Sequence, residues 1–301
     1  MKSISRRDLV KGALAVPAAG LLRSSLAQSS NPIRLANFGW SWEGQGFVGG
    51  AGMSLYGLGE GAKYFGLKKV FNLWRPNDDL AMEKLRSFDE VVCEISPNRP
   101  IHCGERCMKS FYDPTPEKFL AEAENVGALS VKYRNIKGVY IDDTLGSDKP
   151  SMLTPEFYAA IYNTLKKANP DLKIWQLVYS RQLYKQDWAG FKSHMDVIKM
   201  SVWDSQEDLD LDRHVDRCRE IFPDKPLVLN CYLWDYSSMK FSRGNFERGH
   251  AFSMDLLRVH WERVLRYLEA GKIHGYTILG AYLIDGAPEQ ARWVRDFIAA
   301  N

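Results

Sequence analysis

What this chain lacks narrows it first. There is no run of about 20 apolar residues, the length a bilayer-spanning helix needs, and no low-complexity segment or long linker interrupts its 301 residues. Formal net charge is only +3, which leaves no basic footprint for a nucleic acid or another polyanion. Cysteine is scarce. Cys93, Cys103, Cys107, Cys218 and Cys231 are scattered and odd in number, so no disulfide framework is expected in a chain this long. The six histidines, His102, His194, His214, His250, His260 and His274, form no H-x-H or H-E-x-x-H pair, the spacing a metal-dependent hydrolase uses. "HCGERC" (His102 to Cys107) has the loose look of a metal loop, but its C-x3-C has no second half elsewhere. A Cys103–Cys107 loop disulfide is the equal alternative. Neither a metal nor a cofactor is expected.

What is present begins at the N-terminus. "SRRDLVK" (Ser5 to Lys11) precedes a short apolar stretch, "GALAVPAAGLL", and a Ser-Leu-Ala end at Ser25 to Ala27. The pattern resembles a twin-arginine signal peptide over residues 1–27. The resemblance implies a folded protein passed to the twin-arginine (Tat) export machinery, and a periplasmic or secreted location. Residues 28–301 then make up the mature chain.

With 45% hydrophobic residues, the mature chain can bury one large core. Eight β-like runs are spaced along it: 33–39, 68–74, 89–96, 136–142, 172–179, 196–203, 226–234 and 273–280. Helix-like segments lie between them, opened by Asp78, Thr115-Pro116, Thr154-Pro155 and Ser253 as caps or first-turn prolines. Pro170 and Gly271 close the two clearest helices. Strand–helix alternation predicts an α/β protein with a parallel sheet. The length and the missing domain boundary favour a single closed (β/α)8 TIM barrel over an open doubly wound sheet. The glycine-rich stretch "GWSWEGQGFVGGAG" (Gly39 to Gly52) carries two tryptophans and a glutamate, which suits a sugar better than a nucleotide.

Alternate residues of a barrel strand point inward, and the site lies at the C-terminal strand ends. Apolar parity then sends Asn72 and Trp74, Val92 and Glu94, Tyr140 and Asp142, Gln176, Lys199, Ser201 and Trp203, and Asn230, Tyr232 and Trp234 inward. Asp143 sits at the rim. So many polar interior groups predict an open, solvated mouth, since buried polar groups need partners. The expected substrate ligands are Trp40, Glu43, Asn72, Trp74, Tyr140, Tyr179, Arg181, Trp203, Asn230, Tyr232, Trp234 and Asp235. Aromatic faces stack on sugar rings, while carboxylates and amides bind hydroxyls. Cleaving a glycosidic bond takes two carboxyl groups, and Asp142, Asp143, Glu94 and Asp204 are the candidates.

The "GVYIDD" strand (Gly138 to Asp143) resembles the strand-four region of TIM-barrel glycoside hydrolases, in particular the endo-α-1,4-polygalactosaminidase-like barrels. That resemblance implies a glycosidase, with Asp142 or Asp143 as one catalytic carboxylate. It takes the second from a later strand, and Asp204 stands where a glutamate is often found. Two other readings stay open at this point. The barrel could bind carbohydrate without catalysis, or Lys199 could form a Schiff base as in an aldolase or lyase.

Overall fold

The β-branched and aromatic runs become strands, and eight of them close on themselves. The computed structural model describes residues 33–44, 47–48, 52–96, 98–102, 108–112, 115–142, 153–202, 204–237, 240–242, 245–247, 249–279 and 283–301. The export signal, Asp143, Trp203, Cys103 and Cys107 lie outside the described residues. The barrel strands are β1 (Gly39–Glu43), β2 (Lys69–Asn72), β3 (Glu90–Glu94), β4 (Ile136–Ile141), β5 (Lys173–Tyr179), β6 (Val197–Ser201), β7 (Leu227–Cys231) and β8 (Gly275–Leu279). Each pairs in parallel with its sequence neighbours, and β8 closes on β1. The TIM barrel is therefore the fold.

Among the described residues eight helices surround it: α1 (Glu60–Tyr64), α2 (Asp79–Lys84), α3 (Pro116–Lys132), α4 (Pro155–Ala168), α5 (Ser205–Asp208), α6 (Leu211–Ile221), α7 (Met254–Glu269) and α8 (Pro288–Ala300). Asp78, Thr115 and Thr154 accept from the third residue beyond them, as N-cap side chains do. Ser253 holds the N-cap position of α7 without a side-chain cap bond. Gly271, at φ +65°, takes the left-handed turn just past the end of α7. After β5 two 3-10 turns (Ser180–Tyr184 and Lys192–His194) stand in for a helix. Among the described residues no helix is long and apolar enough to cross a membrane.

The first strand corrects the sequence reading. Leu35–Phe38 is a 3-10 turn whose Leu35 amide donates to the Asn301 carbonyl. The strand is instead the "GWSWE" segment, which the glycines beyond it had made look like a loop. Connections from helix to strand are short, whereas three of the strand-to-helix connections carry two-stranded ribbons. One pairs Phe47–Val48 with Gly52–Met53, one Asn98–His102 with Met108–Tyr112, and two more lie between β7 and α7.

Inside the barrel, aromatic rings fill the space that Val, Ile and Leu more often occupy. Trp175 meets Trp40 at 5.1 Å and Phe71 at 5.2 Å, and Phe71 meets Tyr140 at 5.3 Å, each edge to face. Gly138 makes room for this. A Cβ there would stand 2.5 Å from the Lys173 carbonyl oxygen and 3.0 Å from the Trp175 indole. The same rings reset the parity of two strands. Phe71 and Trp175 face inward, so Asn72 and Gln176 face the helices rather than the barrel.

Candidate active site

Period-two alternation along β4 carries Tyr140 inward and puts Asp142 one step beyond the strand on the same side. The Tyr140 hydroxyl donates to Asp142 Oδ1 at 2.8 Å. Ser96, just past β3, holds the Asp142 backbone from both sides: its Oγ accepts from the Asp142 amide at 2.6 Å and donates to the Asp142 carbonyl at 3.2 Å. Asp142 is thus buried, with its backbone and one carboxylate oxygen fixed. Sequence reasoning missed Ser96. Its only signal was a serine two places past an inward glutamate.

Glu94 ends β3 in register with Tyr140, so its backbone and that of Asp142 are about 8 Å apart across one strand spacing and two residues. Its Oε2 accepts from the Trp74 amide at 2.7 Å. Trp74 is the one non-glycine residue at positive φ (52°) among the described residues, a conformation that costs about 1–2 kcal/mol. The turn redirects the chain after β2 and brings the Trp74 ring to 6.4 Å from Trp42. Behind Glu94, Asn77 donates to its backbone carbonyl at 2.8 Å and to Glu122 on α3 at 2.7 Å. Asn72 donates to Asn77 at 2.8 Å. Asn72 therefore supports the site from the helix side and does not line the mouth, which corrects its assignment as a sugar ligand.

Lys199 is fully buried in the barrel. Its ammonium sits 3.6 Å from the Trp42 ring centre and 4.9 Å from that of Tyr140, and donates to the Tyr140 hydroxyl at 3.4 Å. These contacts hold the ammonium against aromatic faces and a phenol oxygen inside the barrel. Further round, Thr277 donates to Asn230 at 2.5 Å, Asn230 to Ser201 at 3.0 Å, and the Ser201 and Tyr232 hydroxyls stand 2.5 Å apart. These interior polar groups largely satisfy one another. Asn230 is completely enclosed, and Tyr232 is nearly so. The mouth is consequently less solvated on this side than the sequence suggested.

Several other expected ligands have structural partners. Trp40 is packed within the barrel against Trp175, with the Lys69 ammonium 4.2 Å from its ring centre. It is core and not a rim platform, because β1 starts later than expected. Glu43 points to the helix layer, where it accepts from the amides of Gly59 at 2.9 Å and Ala62 at 2.7 Å at the start of α1. Burial raises its pKa, and the hydrogen bonds from these amides only partly offset this. Asp204 caps the short α5 through the Gln206 amide at 2.8 Å. Asp235 accepts from the amides of Ser205 at 3.4 Å and Ser237 at 2.9 Å. Burial works to raise its pKa, but the bonds from Ser205 and Ser237 outweigh it and hold the carboxyl below its ordinary value. Trp234 is half-buried in a ribbon with Ala251. Tyr179 is half-buried beneath the Arg181 guanidinium, 5.4 Å from its ring centre. Arg181 also lines an outer cleft of about 400 Å³ with Tyr184, Glu207, Arg213 and His214.

The described mouth is thus a (β/α)8 barrel site with Asp142 and Glu94 on adjacent strand ends and Trp74 bonded to Glu94 through its amide. No family model matches the sequence, and no curated protein does. Solved structures do match. A putative α-L-fucosidase from Bacteroides thetaiotaomicron superposes with a TM-score of 0.53 at 12% identity, covering 94% of this chain and 99% of that one. A GH113 β-1,4-mannanase gives 0.51 at 13% identity, over 89% and 99%. The β-D-glucuronidase of Dictyoglomus thermophilum gives 0.51 at 11% identity over 90% of this chain, which spans only 51% of that enzyme. At these identities the likeness establishes the barrel fold.

Proposed function

We propose that this chain is a glycoside hydrolase, with Asp142 and Glu94 as its carboxylate pair. The observation that carries the reading is the fixed position of Asp142 at the end of β4, gripped by Tyr140 and Ser96, with Glu94 on the neighbouring strand end. Glycosidic bond cleavage needs one carboxyl group to protonate the leaving oxygen and another as nucleophile or base. Asp142, held by a hydroxyl donor, suits the ionised role. Glu94 suits the acid, and Asp143 remains a candidate beside it. Trp74 would stack against the sugar, and Trp203 is proposed with it. The glycosidase names of the neighbouring folds agree with this reading. Export through the twin-arginine route, with the protein acting in the periplasm or outside the cell, is proposed from residues 1–27.

The test is a panel of polysaccharides and aryl glycosides assayed for new reducing ends with the wild-type protein, Asp142→Asn and Glu94→Gln. Turnover that both substitutions abolish supports the pair. Wild-type turnover in Asp142→Asn overturns it. Binding of a sugar with no new reducing end would favour a carbohydrate-binding barrel instead. Fractionation of cells expressing the full chain, with Arg6 and Arg7 changed to lysine as control, tests export.

A further inference from the structure

Lys199 takes no direct part in the proposed chemistry, yet its placement is demanding. A lysine ammonium has three donors and no acceptor, and full burial of its charge is unfavourable unless something compensates. Here the faces of Trp42 and Tyr140 lie within cation–π reach at 3.6 and 4.9 Å. The ammonium also donates to the Tyr140 oxygen at 3.4 Å. Tyrosine carries one proton. With the lysine donating to its oxygen, that proton turns away, and it lies 2.8 Å from Asp142 Oδ1. An oxygen receiving that bond must be an acceptor, which the ionised carboxylate supplies without restriction.

We propose that Lys199 is a positioning residue that acts through Tyr140: it orients the phenol proton onto Asp142 and keeps that carboxylate ionised and fixed at the barrel mouth. Asp142 enters as the catalytic carboxylate on the reading above, but the coupling itself is a property of the folded protein and is measurable without substrate. Donation to the charged form of a carboxylate favours that form, as does a cation nearby. The arrangement also has a direction. The link runs from the Lys199 ammonium through the Tyr140 hydroxyl to Asp142 Oδ1.

The other titratable groups facing this chain, among the described residues, are Glu94 from β3, Tyr179 from β5 and Tyr232 beyond β7. From β1 and β2 come Trp42, Phe71 and Trp74, which do not titrate. Glu43 lies behind β1 on the helix side, with Arg75 as its electrostatic partner. Among the described residues Lys199 is the cation in contact with Tyr140, so removing it shifts Asp142 in one direction.

The experiment is a titration of the Asp142 carboxyl carbon by NMR in protein labelled at the aspartate side chain. The resonance is assigned by its loss in Asp142→Asn. Lys199→Met keeps the stem and the aromatic contacts while removing the charge, and it is expected to move the Asp142 midpoint up by about one pH unit. Tyr140→Phe keeps the ring, removes the link, and is expected to produce a similar rise. The double variant is expected to show no more than the larger single shift, because both act along one path. An unmoved midpoint in Lys199→Met overturns the proposal, as does full additivity in the double variant. If Lys199→Met fails to fold, an unmoved midpoint in Tyr140→Phe overturns it instead. Turnover by Asp142→Asn would end the glycosidase assignment, while the titration would still report whether Lys199 acts on Asp142.

Discussion

His260 on α7 and Asp208 at the end of α5 form a buried ion pair, with Nδ1 and Oδ1 2.8 Å apart. The other ring nitrogen of His260 stands 3.3 Å from Cys231 Sγ at the end of β7. Burial alone would lower the histidine pKa, but the charge of Asp208 and the contact with Cys231 push it up to about 10. The folded value therefore lies above the ordinary one of about 6.5. The stability this pair contributes is complete below about pH 6.5 and declines as pH rises toward 10. Thermal melts of the wild-type protein from pH 6 to 10 are expected to show that decline, and Asp208→Asn is expected to flatten it. Breaking the pair at neutral pH should destabilise the fold by on the order of 3 kcal/mol. A wild-type melting profile that rises through this window would contradict the protonated pair.

Ser96 makes two bonds to the Asp142 backbone, and Ser96→Ala removes both. The buried amide left behind should cost about 1–3 kcal/mol. Loss of position should lower kcat more than it raises KM. Urea unfolding and steady-state kinetics on whichever glycoside the panel yields would check both. A variant with unchanged kcat and lowered stability alone would make Ser96 purely structural.

Gly138→Ala places a methyl against the Lys173 carbonyl, which is backbone and cannot rotate away. The expected loss is about 1–3 kcal/mol. Trimming the indole by Trp175→Phe in the same chain should recover only part of it. Full recovery would show that the ring, not the carbonyl, sets the limit.

Glu43→Ala leaves the Gly59 and Ala62 amides without their acceptor. A loss of about 2 kcal/mol is expected, with kcat/KM unchanged in the folded fraction. A substantial fall in kcat/KM at full folding would return Glu43 to the mouth.

Most strands could be read directly, because β-branched and aromatic runs bounded by polar turns carry their own signal. Which way each strand faces could be read only in places. In a parallel barrel both faces are buried, one by helices and one by the interior, so polarity does not separate them. Asn72 and Gln176 are polar and face the helices; Phe71 and Trp175 are aromatic and face in. Tyr140, Asp142, Glu94, Lys199, Ser201 and Asn230 followed the simple alternation and were readable. Trp74 reached the mouth for a different reason, a left-handed turn at a residue type that seldom adopts one. Ser96 and Asn77 act through backbone contacts over long sequence separations, and a single sequence carries no trace of those.

The ribbons after β1, β3 and β7 open at the same end of the barrel as Asp142, while the links at the opposite end span only a few residues each. Lineages of this fold can therefore diverge by insertion at one pole and must conserve length at the other. A library that randomises the ribbons would explore new selectivities against an unchanged Tyr140–Asp142–Ser96 nucleus, whereas one that lengthens the short links would mostly sample failed folding.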